Sequence, residues 1–279
     1  MFRIAWDRFS LDLDKRTCIM GILNRTPDSF SDAGKFMGED DAVAAALKMA
    51  HDGADIIDVG GESTRPGAAA VSAEEELHRV LPVIKRIKDK IDTPISIDTS
   101  KAEVADAALH SGASFVNDIT GLKQDPSMAS VVAEYGVPVV VMHIKGTPRT
   151  MQINPRYTDL VDEITSALKE SIDIAKAAGV DENKIIIDPG IGFGKTLEHN
   201  LQILKNFYRF KTIGRPMLAG VSRKSFIGEI LGRDDPRDRL MGTASAAAIA
   251  ISNGANILRV HDVKEMKEVA AVADSICRT

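Results

Sequence analysis

Asn24, Asp58 with Glu62, Asp98, Asn117 with Asp118, His143, Asp188, Ser222 with Arg223 and Lys224, and Arg259 with His261 each follow or end a short run rich in Ile and Val. Acceptors and cations recur through this series, which suits a site that holds a polar ligand by hydrogen bonds. Some positions have a plainer use, because Asp, Asn, Ser and Thr satisfy the free amides at a helix start. For Asp58, Asp118 and Asp262, capping or strand-end packing is the expected role. Asp98 and Asp188 read the other way: Thr99 and Ser100 follow Asp98 and are left to cap, while Asp188 precedes Pro189, which has no amide to be capped.

The stretch Gly190-Ile-Gly-Phe-Gly-Lys-Thr196 invites a phosphate-loop reading, but that motif needs a glycine where Pro189 stands. Its glycine spacing also fails the dinucleotide fingerprint. The glycines instead let the loop pass close to a flat ligand, with Phe193 as an apolar wall. Two further loops, Thr26 to Gly38 and Glu62 to Val71, are long and rich in Pro, Gly, Ser and Asp, as lids over a site would be.

These residues need a scaffold that brings strand ends together. The runs Cys18–Leu23, Asp55–Val59, Pro94–Ile97, Ser114–Val116, Val137–Met142, Lys184–Ile187, Met217–Val221 and Asn256–Val260 are nearly continuous in apolarity, as parallel strands covered on both faces are. Between them the period turns helical. Leu77, Val80, Leu81, Ile84 and Ile87 mark one amphipathic helix, with Ser72 and Glu75 as a capping box and Pro82 as a predicted kink. Ser100 with Glu103 and Asp262 with Glu265 open two more, and Leu160, Val161, Ile164, Leu168 and Ile172 lie along another. Strands alternating with helices predict a (β/α)8 TIM barrel in one domain over residues 1–279, with chemistry at the carboxyl ends of the strands. A doubly wound open sheet is the competing architecture. Residues 1–17 stand outside the repeat, and the alternation of Phe2, Ile4 and Trp6 with polar neighbours suggests a short strand or hairpin closing the barrel bottom.

Composition narrows the partners. The 279 residues carry 35 Lys and Arg against 40 Asp and Glu, and the resulting net charge of −5 argues against nucleic acid and anionic membrane. Cys18 and Cys277, far apart, form no disulfide framework or zinc spacing, which fits a reducing cytoplasm. No apolar stretch approaches the length of a membrane span.

Taken in order, Met20-Gly-Ile-Leu-Asn-Arg-Thr-Pro-Asp-Ser-Phe-Ser-Asp32, Asp58-Val-Gly-Gly-Glu-Ser-Thr-Arg-Pro-Gly67, Ser96-Ile-Asp98, Asn117-Asp-Ile, Asp188-Pro-Gly-Ile-Gly-Phe-Gly194, Ser222-Arg-Lys-Ser-Phe-Ile-Gly228 and Arg259-Val-His-Asp262 resemble the dihydropteroate synthase family. The resemblance implies a (β/α)8 enzyme of folate synthesis. It would join 6-hydroxymethyl-7,8-dihydropterin diphosphate to 4-aminobenzoate with magnesium, commonly as a homodimer. By the same resemblance, Asp98, Asn117, Met142, Asp188, Phe193, Gly220, Lys224 and Arg259 bind the pterin. Thr64, Arg259, Val260 through its backbone and His261 hold the diphosphate, and Asn24 is the protein's magnesium ligand. Phe30, Asp32, Thr64, Arg65, Pro66, Phe193, Ser222 and Lys224 line the 4-aminobenzoate pocket or its lids, and Asp98, Lys224 and Arg259 serve catalysis. Arg25 departs from the small apolar residue usual after Asn24. It is expected to face solvent, because neighbours in an extended segment point opposite ways. Two alternatives stay open: a non-catalytic pterin-binding paralogue, and a methyltetrahydrofolate-dependent methyltransferase.

Overall fold

The computed structural model describes residues 2–26, 38–65 and 67–278. It opens with an antiparallel hairpin of β1 (Arg3–Trp6) and β2 (Phe9–Asp12), in which Ile4 lies opposite Leu11 and Trp6 opposite Phe9. Strand–helix pairs follow: β3 (Cys18–Asn24) with α1 (Glu39–His51), β4 (Ile56–Gly60) with α2 (Ala73–Ile87), β5 (Ile95–Asp98) with α3 (Ala102–Ser111), and β6 (Phe115–Asp118) with α4 (Met128–Tyr135). The second half continues with β7 (Val139–Met142) and α5 (Leu160–Ala177), β8 (Ile185–Asp188) and α6 (Leu197–Lys205), β9 (Leu218–Ala219) with α7 (Ser225–Leu231) and α8 (Leu240–Ser252), and β10 (Ile257–Val260) with α9 (Val263–Cys277).

The parallel ladder runs β8-β7-β6-β5-β4-β3-β10-β9, and a bridge between Ile187 and Met217 brings its two ends together. The amide of Ile187 also donates to Pro216 O at 2.9 Å. Neighbours follow chain order all the way round, so the open doubly wound sheet is excluded. The strands lie buried between the barrel interior and the helices, which is why their sequences are apolar without alternation. Ile4, Trp6, Leu11 and Leu13 of the hairpin segment belong to the same core, and the Trp6 ring meets Phe115, the first residue of β6, at 6.1 Å.

Local signals fared unevenly. Ser72 caps α2 by accepting from the Glu75 amide at 3.1 Å, but the Glu75 carboxylate turns to Arg79, so the capping box is half made. The helix runs through Pro82 without a break. The start of α3 is not capped by Ser100: the Ala102 amide donates to Asp125 Oδ2 at 2.8 Å, a partner supplied from the next strand–helix unit. A full capping box stands instead at Thr196 and His199, opening α6.

Candidate active site

Residues two apart on a strand share a face. Asp58 pairs in register with Ser96, Gly60 with Asp98, and Asp98 with Asn117, so Asp98 and Asn117 form an upper layer inside the barrel and Asp58 lies one layer deeper. Arg259 of β10 spans the two layers: its Nε donates to Asp58 Oδ2 at 2.6 Å and its Nη2 to Asp98 Oδ2 at 2.5 Å. Asn117 Nδ2 also donates to Asp58 Oδ2, at 3.0 Å. Burial works against the guanidinium charge, but Asp58 and Asp98 outweigh it and hold Arg259 above its ordinary value. Burial raises the Asp98 carboxyl despite Arg259, with Asp58 adding to the rise.

The expectation that Asp58 caps a helix is therefore corrected. Its side chain points into the barrel, beyond the reach of any helix amide. Asp118 caps no helix either, but it does the strand-end work expected of it, closing the turn after β6 by accepting from the Thr120 and Leu122 amides, both at 2.8 Å. Asp262 occupies the first position before α9 but makes no side-chain cap, pairing instead with Arg223 through Nε at 3.0 Å.

Asp188 ends β8 opposite this network. Pro189 has no amide to give it, but one residue further on the Gly190 amide donates to Asp188 Oδ1 at 2.7 Å. The turn thus fixes one oxygen and leaves the other beside Gly220, where an added Cβ would lie 3.9 Å from Oδ2. Burial raises the Asp188 carboxyl, with the Gly190 amide and Lys224 opposing. Lys224 projects its Nζ over the Phe193 ring, 4.0 Å from the centroid, and burial pulls its ammonium down to about 8. Phe193 packs with Ile119, Met142 and Met151 into a small apolar cluster separate from the main core. Gly192 of its loop lines the cavity, where an added Cβ would lie 3.0 Å from Lys224 Cδ, while the flanking glycines serve another approach. A Cβ on Gly190 would meet His143 O at 1.9 Å and one on Gly194 would meet Lys145 O at 2.4 Å, so neighbouring backbone excludes side chains there.

Ser222 and His261 form a pair. The His261 amide donates to Ser222 Oγ at 3.2 Å, and Oγ lies 3.0 Å from His261 Nδ1. Burial, reinforced by Arg223 and Arg259, pushes His261 down to about 3, so the ring is neutral. The stem of the second loop is pinned by Lys101 Nζ, which donates to Glu62 at 2.5 Å and to the buried Glu76 at 2.6 Å, and by Arg79 Nη1 on Gly61 O at 2.7 Å.

All these elements surround one cavity of about 500 Å³. Asn24, Thr64, Arg65, Asp98, Asn117, Met142, Asp188, Phe193, Gly220, Ser222, Lys224, Arg259 and His261 line it together. Val260 is fully buried beside them in β10 and does not line it. Phe30, Asp32 and Pro66 lie outside the described residues. Arg25 does not face solvent as expected: it is 6% exposed, it is absent from the cavity lining, and its electrostatic neighbours are Glu39 of α1 and Arg79 of α2. Sequence reasoning missed Asp58 as a partner of Arg259, and Ile22, Ile119 and Met151 as lining. Ile119 sits two residues beyond Asn117 and was visible from that spacing. Met151 comes from the irregular segment after β7, where no periodicity marks it.

Asn24 ends β3 with its side chain toward Gly60, where an added Cβ would lie 3.4 Å from Asn24 Oδ1 and 3.5 Å from Asp98 Oδ2. The described residues contain no cluster of three or more His, Cys, Asp or Glu able to hold a metal alone. A neutral amide oxygen at the cavity wall suits a hard cation that keeps waters and phosphate oxygens as its other ligands.

Residues 20–261 match the family model described as pterin binding enzyme. A dihydropteroate synthase of Synechocystis is 48% identical over 96% of this chain and 92% of its own length. Among solved structures, a dihydropteroate synthase from Clostridium difficile in the presence of pteroic acid superposes with a TM-score of 0.90 at 47% identity, covering 96% of this chain and 100% of that one. A Xanthomonas albilineans dihydropteroate synthase with 4-aminobenzoic acid gives 0.89 at 46%, covering 96% and 95%. With the barrel, the strand-end constellation and this near full-length identity in agreement, the chain belongs to the dihydropteroate synthase family of pterin-binding enzymes.

Proposed function

We propose that this enzyme joins 6-hydroxymethyl-7,8-dihydropterin diphosphate to 4-aminobenzoate, releasing diphosphate and 7,8-dihydropteroate. The observation that carries the reading is that the buried acceptor Asp188 and the half-buried cation Lys224 line one cavity beside an apolar wall. A pterin ring presents N–H donors along one edge beside ring acceptors, and it needs this combination. Asp188, whose Oδ1 is occupied by Gly190, offers Oδ2 to the ring N3–H and the 2-amino group. Lys224 donates toward O4 and N5, Asp98 and Asn117 take the opposite edge, and Met142 and Phe193 contact the ring, which lies against Gly220.

Arg259, Thr64, the Val260 backbone and the neutral His261 ring hold the diphosphate, and Asn24 would be the protein's ligand to magnesium. When bound, magnesium offsets the charge that grows on the leaving diphosphate. The carbon–oxygen bond breaks with its electron pair going to diphosphate, and the 4-aminobenzoate nitrogen then attacks the pterin-methyl cation and loses a proton. Asp98 steadies that cation, and Arg259 fixes Asp98 for the task. Arg65, Ser222, Phe193 and Lys224 border the 4-aminobenzoate, with Thr64 at the junction. Phe30, Asp32 and Pro66 belong to the lids that exclude water.

We further infer a cytoplasmic homodimer. Cys18 and Cys277 are free thiols, in keeping with a reducing compartment. Ile230, Leu231, Met241, Ile249, Val272 and Ile276 are exposed along α7, α8 and α9, and a second copy presenting the same face would cover them. Light scattering is expected to give twice the chain mass, and Ile249→Lys to give the monomer. The decisive test of function is to mix pure protein, the pterin diphosphate, 4-aminobenzoate and magnesium and to follow 7,8-dihydropteroate. Turnover no faster than an enzyme-free control would overturn the reading.

A further inference from the structure

Lys195 follows the glycine loop and is 2% exposed, yet no carboxylate forms an ion pair with it among the described residues. Its Nζ lies 2.9 Å from Phe193 O, 3.0 Å from His143 Nδ1 and 3.4 Å from His143 O. An ammonium buried without a counter-ion is costly, and burial indeed pulls Lys195 down to about 7. His143, the residue leaving β7, is neutral, held down to about 2 by burial and by Lys195.

The loop is clasped at both ends where Gly190 and Gly194, at φ of 71° and 66°, press against the His143 and Lys145 carbonyls. Between those ends, Asn200 Oδ1 accepts from the Gly192 amide at 2.7 Å and Gln152 Nε2 donates to Gly192 O at 2.8 Å. Tyr157 donates to Gly194 O, also at 2.8 Å. The peptide of Phe193 itself is tied by Lys195, and through Lys195 to the rigid end of β7.

We propose that Lys195 is a positioning residue that sets the Phe193 ring at the border between the pterin and 4-aminobenzoate subsites by joining Phe193 O to His143. The proposal rests on the synthase reading above. Lys195 touches neither substrate, since it lies behind the cavity wall and not on it. The Asp188 side chain keeps its own hydrogen bond to the Gly190 amide, and Lys195 acts on it through charge.

The test is a double-mutant cycle in steady-state kinetics. Lys195→Met keeps the aliphatic stem and removes the donors, and it is expected to raise KM for 4-aminobenzoate by about tenfold, the worth of one hydrogen bond, with KM for the pterin diphosphate changed less than about twofold. Lys195→Gln, which retains a donor, recovers part of the loss, and serves in the cycle if the methionine variant does not fold. In a Phe193→Ala background the Lys195 substitution has no further effect on that KM. Unchanged KM for 4-aminobenzoate in Lys195→Met, equal rises for both substrates, or an undiminished effect without the Phe193 ring would each overturn the proposal while leaving the synthase reading intact. Absence of turnover in the unaltered enzyme would instead remove the synthase reading itself.

Discussion

At the amino end of the barrel Trp6 meets Phe115 with Phe9 beside it in the apolar core, and the charged groups at that end, Asp55 with Arg16 and Asp274 with Arg278, are paired with each other. At the carboxyl end the same strands bury Asp58, Asp98 and Asp188, with Arg259 spanning the first two. Burying apolar surface stabilises at roughly 25 cal/mol per Å². Burying charge costs unless it is paired, and Lys224 has no hydrogen-bond or ion-pair partner among the described residues. One end therefore supplies stability and the other holds groups whose needs a ligand would complete. Substitutions at the two ends should separate stability from catalysis.

The largest effect is expected from Trp6→Ala, which should cost about 3–5 kcal/mol of stability, the usual range for deleting a buried large aromatic, while KM for both substrates stays put. Chemical denaturation and kinetics on the same preparation check this. A substrate KM that moved with stability would mean that the two ends are coupled.

Asp188→Asn acts at the opposite end. It places a donor against ligand donors and should weaken pterin binding by about 1.5–3 kcal/mol, roughly tenfold to a hundredfold. Calorimetry with the pterin reads it. Unchanged affinity would assign Asp188 only to the turn that it already makes with Gly190.

Asn24→Ala is expected to raise the magnesium requirement by about tenfold and leave affinity for a pterin without diphosphate unaltered. A metal titration of activity sharpens the comparison by dividing the catalytic end into a metal side and a ring side.

The smallest effect concerns pH. Because burial lowers Lys224 from 10.5 to about 8, its charged form is present below that value and lost above it. On raising the pH through about 8, kcat/KM for the pterin diphosphate should fall several-fold and not to zero, since a neutral amine still donates but without the charge that strengthens the bond. Lys224→Met should be slower and lack this limb.

How far the sequence could be read depended on the range of each interaction. The strand runs were legible because burial on both faces leaves an unbroken apolar signature. The largest loss is in β9, from the expected Met217–Val221 to Leu218–Ala219, and β7 begins at Val139 where Val137 was expected. The cap by Ser72 and the turn closed by Asp118 were legible because donor and acceptor lie within four residues. Ser100 misled because the acceptor for α3 is Asp125, which only packing brings near. Arg25 misled for a similar reason: alternation correctly turned it away from the cavity, but helices α1 and α2 occupy the side where solvent was expected.

The sequence alone determined the repeating strand and helix periods, and with them which residues stand at strand ends, because those periods follow from local geometry and burial. It could not assign their partners. Asp58 and Asp118 are the same residue type near the ends of two apolar runs, yet Asp118 binds amides two and four residues away, whereas Asp58 binds an arginine 201 residues away. Closure of the barrel decided that difference. Bringing β10 against β3 carried Arg259 across the interior to both carboxylates, and only a completed ring of strands can create that contact.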